Sequence, residues 1–372
     1  MDKIYYFDNA ATTPLSDEVK KKIIDVLDDF GNPSSVYDLG TKTRAYMDDA
    51  RKSVAKFINA PANSEIIFTS SGSAANSLAI RGLAESTEKY VLLYSPTSHK
   101  SMWKCCEHMM YSHELKVNKY GEIDMSDLRH KLEEYREEQI LVCFEAANSE
   151  LGTIQPIKEI TDLVHYYNGI VVVDFTGYIP HFKVDVLDFD VDIATFSGHK
   201  LHAPKGIGVL YKLEDIHIEP LIYGSQENGY FGGTENILCI VGLGVALDTY
   251  EYKKTDKKFR HLYFELLNKV KDVDLLGSNN RLPNNLFLSF KGVDGSQLMS
   301  LLALDNIYVS TGSACNNYTP EPSKSLVAIG LNPDRYNSCI RITLSGDESE
   351  EDLNYVIKKI VEHVNFLREV GD

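Results

Sequence analysis

Six short runs in this chain are apolar at nearly every position, and helical patterns separate most of them. They are Glu65–Thr69, Tyr90–Tyr94, Ile140–Phe144, Ile170–Val173, Ile193–Phe196 and Ile207–Tyr211. A strand with one face in water alternates apolar and polar residues; these do not alternate. Both faces must therefore be covered, which predicts an α/β fold built on a largely parallel sheet between helical layers. Helices are expected over Ser16–Phe30, Lys42–Ile58, Ser73–Leu83 and Ile157–Tyr167. In the first, Ser16 is placed to cap, Val19, Ile23, Val26 and Leu27 form one stripe, and Gly31 follows as a stop. After about Asp248 the pattern changes to a long polar helical stretch. A strand at Leu286–Phe290, a helix over Ser296–Leu304 and a strand at Ile340–Leu344 follow. A closing amphipathic helix carries Leu353, Val356, Ile357, Ile360, Val361 and Val364 on one face. At 372 residues the chain exceeds what one core usually serves, and this part reads as a smaller α+β domain.

The net charge of −16 argues against a nucleic-acid partner, because a phosphate backbone would be repelled. No apolar stretch is long enough to span a bilayer, and the start Met1–Asp8 lacks the basic and apolar regions of a signal peptide. The expected location is the cytoplasm. None of the six cysteines forms a Cys-x-x-Cys pair, so no metal site is expected.

In sheets of this kind ligands sit beyond the carboxyl ends of the strands, so the residues there decide the chemistry. The first run opens into Ser70-Ser71-Gly72-Ser73-Ala74-Ala75-Asn76 at the start of a helix. Free N–H groups, hydroxyls and the helix dipole make an anion cup there, while the plainer reading has Ser73 as an ordinary N-cap. The fourth run ends in Asp174, a carboxylate costly to bury without a cationic partner. The protonated ring nitrogen of pyridoxal phosphate would be such a partner, and a structural salt bridge or a helix cap would serve equally. The fifth run leads into Ser197-Gly198-His199-Lys200. A lysine just past a buried strand can be dry enough to act as a neutral nucleophile, and Ser197 and His199 can donate to a phosphate. His99 and Asn148 follow two other runs, and each has a structural reading beside the functional one. Cys315 lies in a stretch rich in Gly, Asn, Ser and Pro, where a packing role is excluded, and it is a candidate thiolate nucleophile or an incidental surface thiol. Arg341 begins an otherwise apolar strand and needs an anion, either a substrate carboxylate or a structural partner.

Together these residues resemble the class V aminotransferases, a family of fold type I pyridoxal-phosphate enzymes, and within it the cysteine desulfurases. The likeness runs from Phe7-Asp8-Asn9-Ala10-Ala11-Thr12-Thr13-Pro14 through Ser98-His99-Lys100 and Asn148-Ser149-Glu150-Leu151-Gly152. It is sharpest at Ser197-Gly198-His199-Lys200 and ends with Gly312-Ser313-Ala314-Cys315 and Ile340-Arg341. The resemblance implies a large domain over 12–255 with a mostly parallel seven-stranded sheet, and a small domain from 1–11 and 256–372. It implies a homodimer without membrane or nucleic-acid partners, and a protein acceptor for the sulfur, as in iron–sulfur cluster assembly. By the same resemblance Lys200 carries the cofactor as a Schiff base and moves protons, His99 stacks on the ring, and Asp174 pairs with its nitrogen. Gly72, Ser73, Ser197 and His199 hold the phosphate, with Thr234 reaching in from the partner subunit. Asn148 and Arg341 hold the carboxylate of L-cysteine, and Cys315 becomes a persulfide as alanine leaves.

The chain departs from the family where Phe175-Thr176-Gly177 replaces the usual Ala-Thr-Gln, whose glutamine bonds the phenolic oxygen of the cofactor. That bond is then missing, with Gly177 still counted among the cofactor residues by the resemblance. Ser73-Ala74 replaces Thr-Glu, Phe231 stands for an arginine, and Leu344-Ser345-Gly346 stands where the family often has Gly-Arg. These departures leave two other readings open: a different lyase or aminotransferase on the same scaffold, or a non-catalytic binding protein.

Overall fold

The computed structural model describes residues 3–86, 89–311 and 322–371. The chain opens with strand β1 (Tyr5–Tyr6) and helices α1 (Asp17–Asp25) and α2 (Asp38–Phe57). The alternating part follows: β2 (Ile66–Thr69), α3 (Gly72–Glu85), β3 (Tyr90–Tyr94), α4 (Lys100–Glu107), β4 (Ser112–Glu114) and α5 (Met125–Glu134). It continues with β5 (Gln139–Glu145), α6 (Ile157–Tyr166), β6 (Ile170–Asp174), β7 (Ile193–Ser197), β8 (Gly208–Lys212) and α7 (Ile237–Asp248). The last part holds α8 (Asp256–Lys269), β9 (Val273–Leu275), β10 (Asn285–Phe290), α9 (Gly295–Leu304), β11 (Ile307–Tyr308), α10 (Lys324–Ala328), β12 (Cys339–Thr343) and α11 (Glu350–Gly371).

Seven strands form one sheet in the order β2-β8-β7-β6-β5-β3-β4. Strand β8 is antiparallel to both β2 and β7, and every other pair is parallel. Six strands thus end at the same edge. The strand at the β4 edge is Ser112-His113-Glu114, pairing only with β3. Half exposed and polar, it carries no apolar run that sequence could reveal.

The apolar runs are continuous because successive residues serve two cores. Val171 and Val173 face the layer built with α1, α2, α6 and α7, while Val172 faces the layer of α3 and α4. All three valines are fully buried, each contributing on the order of 1.5–3 kcal/mol. A separate core joins Phe7 to residues 262–367, around the antiparallel sheet β12-β10-β9 and helices α8, α9 and α11. Taking the two sheet layers together as one core and this as the second, we propose the division into 12–255 and 1–11 with 256–372.

Two helix boundaries differ from expectation. Ser16 does cap α1, accepting from the Val19 N–H at 3.2 Å, but the helix stops at Asp25 rather than Phe30. Val26 leaves helical geometry and is buried, five residues before Gly31. Leu27 and Phe30 are exposed and do not extend the buried stripe. Helix α2 begins at Asp38, four residues before the expected Lys42.

The loop before α7 is tied to β2 through the buried Glu227, paired with the half-buried Arg51. Arg51 donates from both terminal nitrogens to Glu227, each at 2.9 Å, and Glu227 also accepts from the Phe68 N–H at 2.8 Å. Removing the carboxylate leaves the buried Phe68 N–H without a partner and the half-buried guanidinium with the Ile66 carbonyl alone. Glu227→Ala should therefore lower the unfolding free energy by about 3 kcal/mol, read from urea denaturation. A change under about 0.5 kcal/mol would show that this pair does not anchor the loop.

Candidate active site

At the carboxyl edge of the sheet a cavity of about 340 Å³ opens between the two cores. Gly72, Ser73, His99, Asn148, Asp174, Ser197, His199, Lys200 and Arg341 all line it. These residues come from the ends of β2, β3, β5, β6 and β7 and from β12, so the shared strand direction gathers them.

Asp174 is buried, and both its oxygens accept hydrogen bonds. The donors are the Asn76 side-chain amide at 2.7 Å and the Thr176 N–H at 2.8 Å. Asn76, on α3, is fixed in turn by the Thr195 hydroxyl, which donates to its oxygen, and it donates to the Ser101 hydroxyl at 3.0 Å. Ser101 lies 2.8 Å from the Nδ1 of His99, which also accepts the Ser101 N–H at 3.2 Å. That acceptor role puts the hydrogen of a neutral ring on Nε2. Burial holds the His99 pKa below its ordinary value, against the pull of Asp174. One network thus runs from the buried acid to a neutral imidazole that caps α4.

The serine turn differs from the plainer reading. Ser71, not Ser73, caps α3, accepting from the Ala74 N–H at 3.1 Å. The Gly72 and Ser73 N–H groups make no hydrogen bond among the described residues and border the cavity. Gly72 has to be small, because a Cβ there would lie 3.0 Å from the Cβ of Ser197. Beside this turn His199 packs with its Nδ1 3.2 Å from the Thr12 hydroxyl. Burial, helped by Lys200 and Lys205, pushes the His199 pKa down to about 4, so the ring is a neutral donor at ordinary pH. The group is an anion seat: two backbone N–H groups at a helix start, two hydroxyls and an imidazole.

Lys200 ends a single 3₁₀ turn, Gly198–Lys200, directly after β7. Its amine makes no hydrogen bond among the described residues. Burial pushes its ammonium form down, with Arg341 adding to the fall, while Glu145, Asp174 and Asp8 oppose it. A lysine so placed is a nucleophilic amine in waiting. Arg341 sits inside β12, not at its start, and is buried. It donates to Asp8 at 2.8 Å and to the Ser149 carbonyl at 3.0 Å, and its Nε has no partner. Asn148 holds its own turn, accepting from the Glu150 N–H at 3.0 Å and donating to the Thr97 carbonyl. Its contact with the Ser325 hydroxyl, at 3.4 Å, is the weakest of its bonds.

Two candidates stand apart from the cavity. Gly177 lies behind it, in a pocket of about 50 Å³ that it shares with Lys200 and His181. Thr234 is exposed and does not line this chain's own cavity. Cys315 lies outside the described residues.

Sequence reasoning missed Asn76, Ser101 and Glu145. Asn76 was visible in the serine turn but had no assignable role. Glu145 carried the signal that singled out Asp174, a carboxyl closing an apolar strand, and the strand was read as ending one residue earlier.

Set beside known proteins, residues 5–356 match the family model for aminotransferase class-V. The chain belongs to this family. Its class-V relatives include the cysteine desulfurase IscS of Dictyoglomus turgidum, 38% identical over 99% of this chain and 97% of that one. The IscS of Methanosarcina thermophila is 35% identical over 100% of this chain and 94% of that one. Among solved structures, a NifS-like protein superposes with a TM-score of 0.89 at 32% identity, over 98% of this chain and all of that one. SspA in complex with cysteine superposes with a TM-score of 0.82 at 30% identity, over 93% and 100%. The class-V fold expected from sequence is thus the fold observed, with β8 as its reversed strand.

Two histidines beside Lys200 give this class-V chain an acid weakness. Burial pushes His181 and His199 each down to about 4, from an ordinary value near 6.5. The unfolded chain takes up their protons as pH falls below 6.5, whereas the folded chain refuses them until about 4. Their stabilising contribution is therefore present above 6.5 and is lost progressively between 6.5 and 4. Urea midpoints measured at pH 7 and pH 5 should fall with acid, and His181→Asn should flatten that fall. An unchanged slope in the variant would refute the assignment.

Proposed function

We infer that this chain is a pyridoxal-phosphate-dependent cysteine desulfurase that converts L-cysteine to L-alanine and leaves the sulfur as a persulfide on Cys315. One observation carries the cofactor: an unbonded lysine amine, a buried acid and an anion seat with two unpaired N–H groups face a single cavity. These are the three groups that an aldehyde, a basic ring nitrogen and a phosphate require. Lys200 would hold the aldehyde carbon, Asp174 the ring nitrogen, and Gly72, Ser73, Ser197 and His199 the phosphate. When bound, the cofactor acts as an electron sink that loosens bonds at the α and β carbons of an amino acid.

The chain's own residues do the rest. Asn76 fixes the Asp174 carboxyl, which would pair with the ring nitrogen of a bound cofactor. Lys200, once its amine is free, takes and returns the proton at the substrate α carbon. His99, held by Ser101, presents a flat neutral ring and an Nε2 hydrogen to the cofactor. Arg341 grips the substrate carboxylate through a planar fork whose Nε is still unused, with Asn148 beside it. The Cys315 thiolate attacks the substrate sulfur. The carbon–sulfur bond breaks, a sulfur–sulfur bond forms, and a proton completes the alanine methyl group, so two thiols become one persulfide and one methyl.

The names of the relatives support this reading, as does SspA, which is solved with cysteine bound. We further propose a homodimer in which Thr234 completes the phosphate site of a second copy. The exposure of Thr234 supports it, as does that of the nearby Tyr223. The sulfur then passes to a protein acceptor, as in iron–sulfur cluster assembly. The described cysteines are all free thiols, which suits the reducing cytoplasm.

Purified protein should be yellow with the cofactor and should release alanine and sulfide from L-cysteine plus a reductant. Cys315→Ser should cut sulfide release at least about a hundredfold while the visible band persists. Unchanged sulfide release would refute the role of Cys315. Lys200→Ala should abolish covalent labelling by borohydride. Arg341→Lys should raise KM for cysteine roughly tenfold, because a point charge cannot replace the fork.

A further inference from the structure

Glu145 is a second buried carboxyl in the cavity wall, and the reaction as described does not use it. It closes β5 opposite Asp174 in the β5–β6 register, so the two acids stand side by side at the sheet edge. Glu145 is 3% exposed, lines the cavity, and its Oε2 has no hydrogen-bond partner among the described residues. A buried acid with an oxygen so placed lacks something to bond. Burial, and then the charge of Asp174, push its pKa well above the carboxylate range, with Glu150 adding to the rise. Lys200 and the His99 backbone N–H oppose it. That rise favours the protonated form of Glu145, which can donate a hydrogen bond.

The place of Glu145 across the sheet says what it would meet. The phosphate seat lies on the β2 and β7 side of Asp174; Glu145 lies on the other side, on β5. In pyridoxal phosphate the ring nitrogen and the aldehyde carbon lie across the ring from each other. One edge between them carries the phosphate arm, and the other carries the phenolic oxygen. With the nitrogen on Asp174, the aldehyde on Lys200 and the phosphate on its seat, the phenolic edge turns toward β5. The backbone there leaves no room for a side chain at position 177. A Cβ on Gly177 would come within 2.4 Å of the Ala147 carbonyl oxygen and 3.3 Å of the Glu145 Oε1. The carboxyl of Glu145 thus stands next to where a side chain from 177 would begin.

We propose that Glu145, as a neutral acid, donates a hydrogen bond to the phenolic oxygen of bound pyridoxal phosphate, in place of the glutamine that Gly177 replaces. The inference rests on the cofactor reading above and concerns one contact within it. A donor at that oxygen stabilises its ionised form, which sets the visible colour of the bound cofactor, and adds about one hydrogen bond to cofactor affinity.

The test reads absorbance and cofactor affinity rather than turnover. Glu145→Met and Glu145→Ala both remove the donor, and either suffices if circular dichroism shows it folded. Glu145→Gln keeps a donor of similar reach. The expected result is a displaced visible band and a Kd for pyridoxal phosphate raised about tenfold in the Met or Ala variant, with the Gln variant near wild type in both. A Met or Ala variant with wild-type band and Kd overturns the proposal, and so does a Gln variant as perturbed as Met. A wild-type protein that shows no visible band with the cofactor overturns the cofactor reading and this inference together.

Discussion

The hydrogen bond from Asn76 to Asp174 couples the sheet to the site. A carboxyl at the end of a fully apolar strand is expensive to bury, and nothing in β6 itself satisfies it. The amide of Asn76 reaches it from α3, at 2.7 Å, and is oriented by Thr195 on the neighbouring strand. Through Ser101 the same amide reaches His99. The acid, the helix that carries the anion seat and the imidazole are therefore fixed relative to one another before any ligand arrives. That is the preorganisation a cofactor site needs.

The sheet supplies the second constraint. Because only β8 runs against its neighbours, the ends of β2, β3, β5, β6 and β7 meet at one edge, where the second core closes the cavity with Arg341. The reversal at β8 also brings Gly208 beside both Thr69 and Ser197, which draws the serine turn and the lysine turn together. That the two turns border one cavity is a consequence of that strand direction.

Much of this was legible beforehand. Uniform apolar runs revealed the buried strands, because residues facing either helical layer must avoid water. Lys200 stood out because its neighbours in sequence are also its neighbours in the site. The polar edge strand Ser112–Glu114 gave no signal, since an edge in water needs no apolar run. The end of α1 was misplaced because Leu27 and Phe30 are apolar yet lie outside this chain's core. The plainer reading of Ser73 as a cap fails because Ser71, two residues earlier, takes that place.

By itself, the sequence determined the α/β class, the buried strands to within a residue and the family, since hydrophobic periodicity and the Ser-Gly-His-Lys motif are local in the chain. Only the tertiary structure decided the partners of those residues. Asn76 matters because α3 packs over β6, and Glu145 matters because the β5–β6 register sets it beside Asp174 with an oxygen left unpaired. Contacts between residues 98 or 29 positions apart depend on packing and register, which no local pattern of residues encodes.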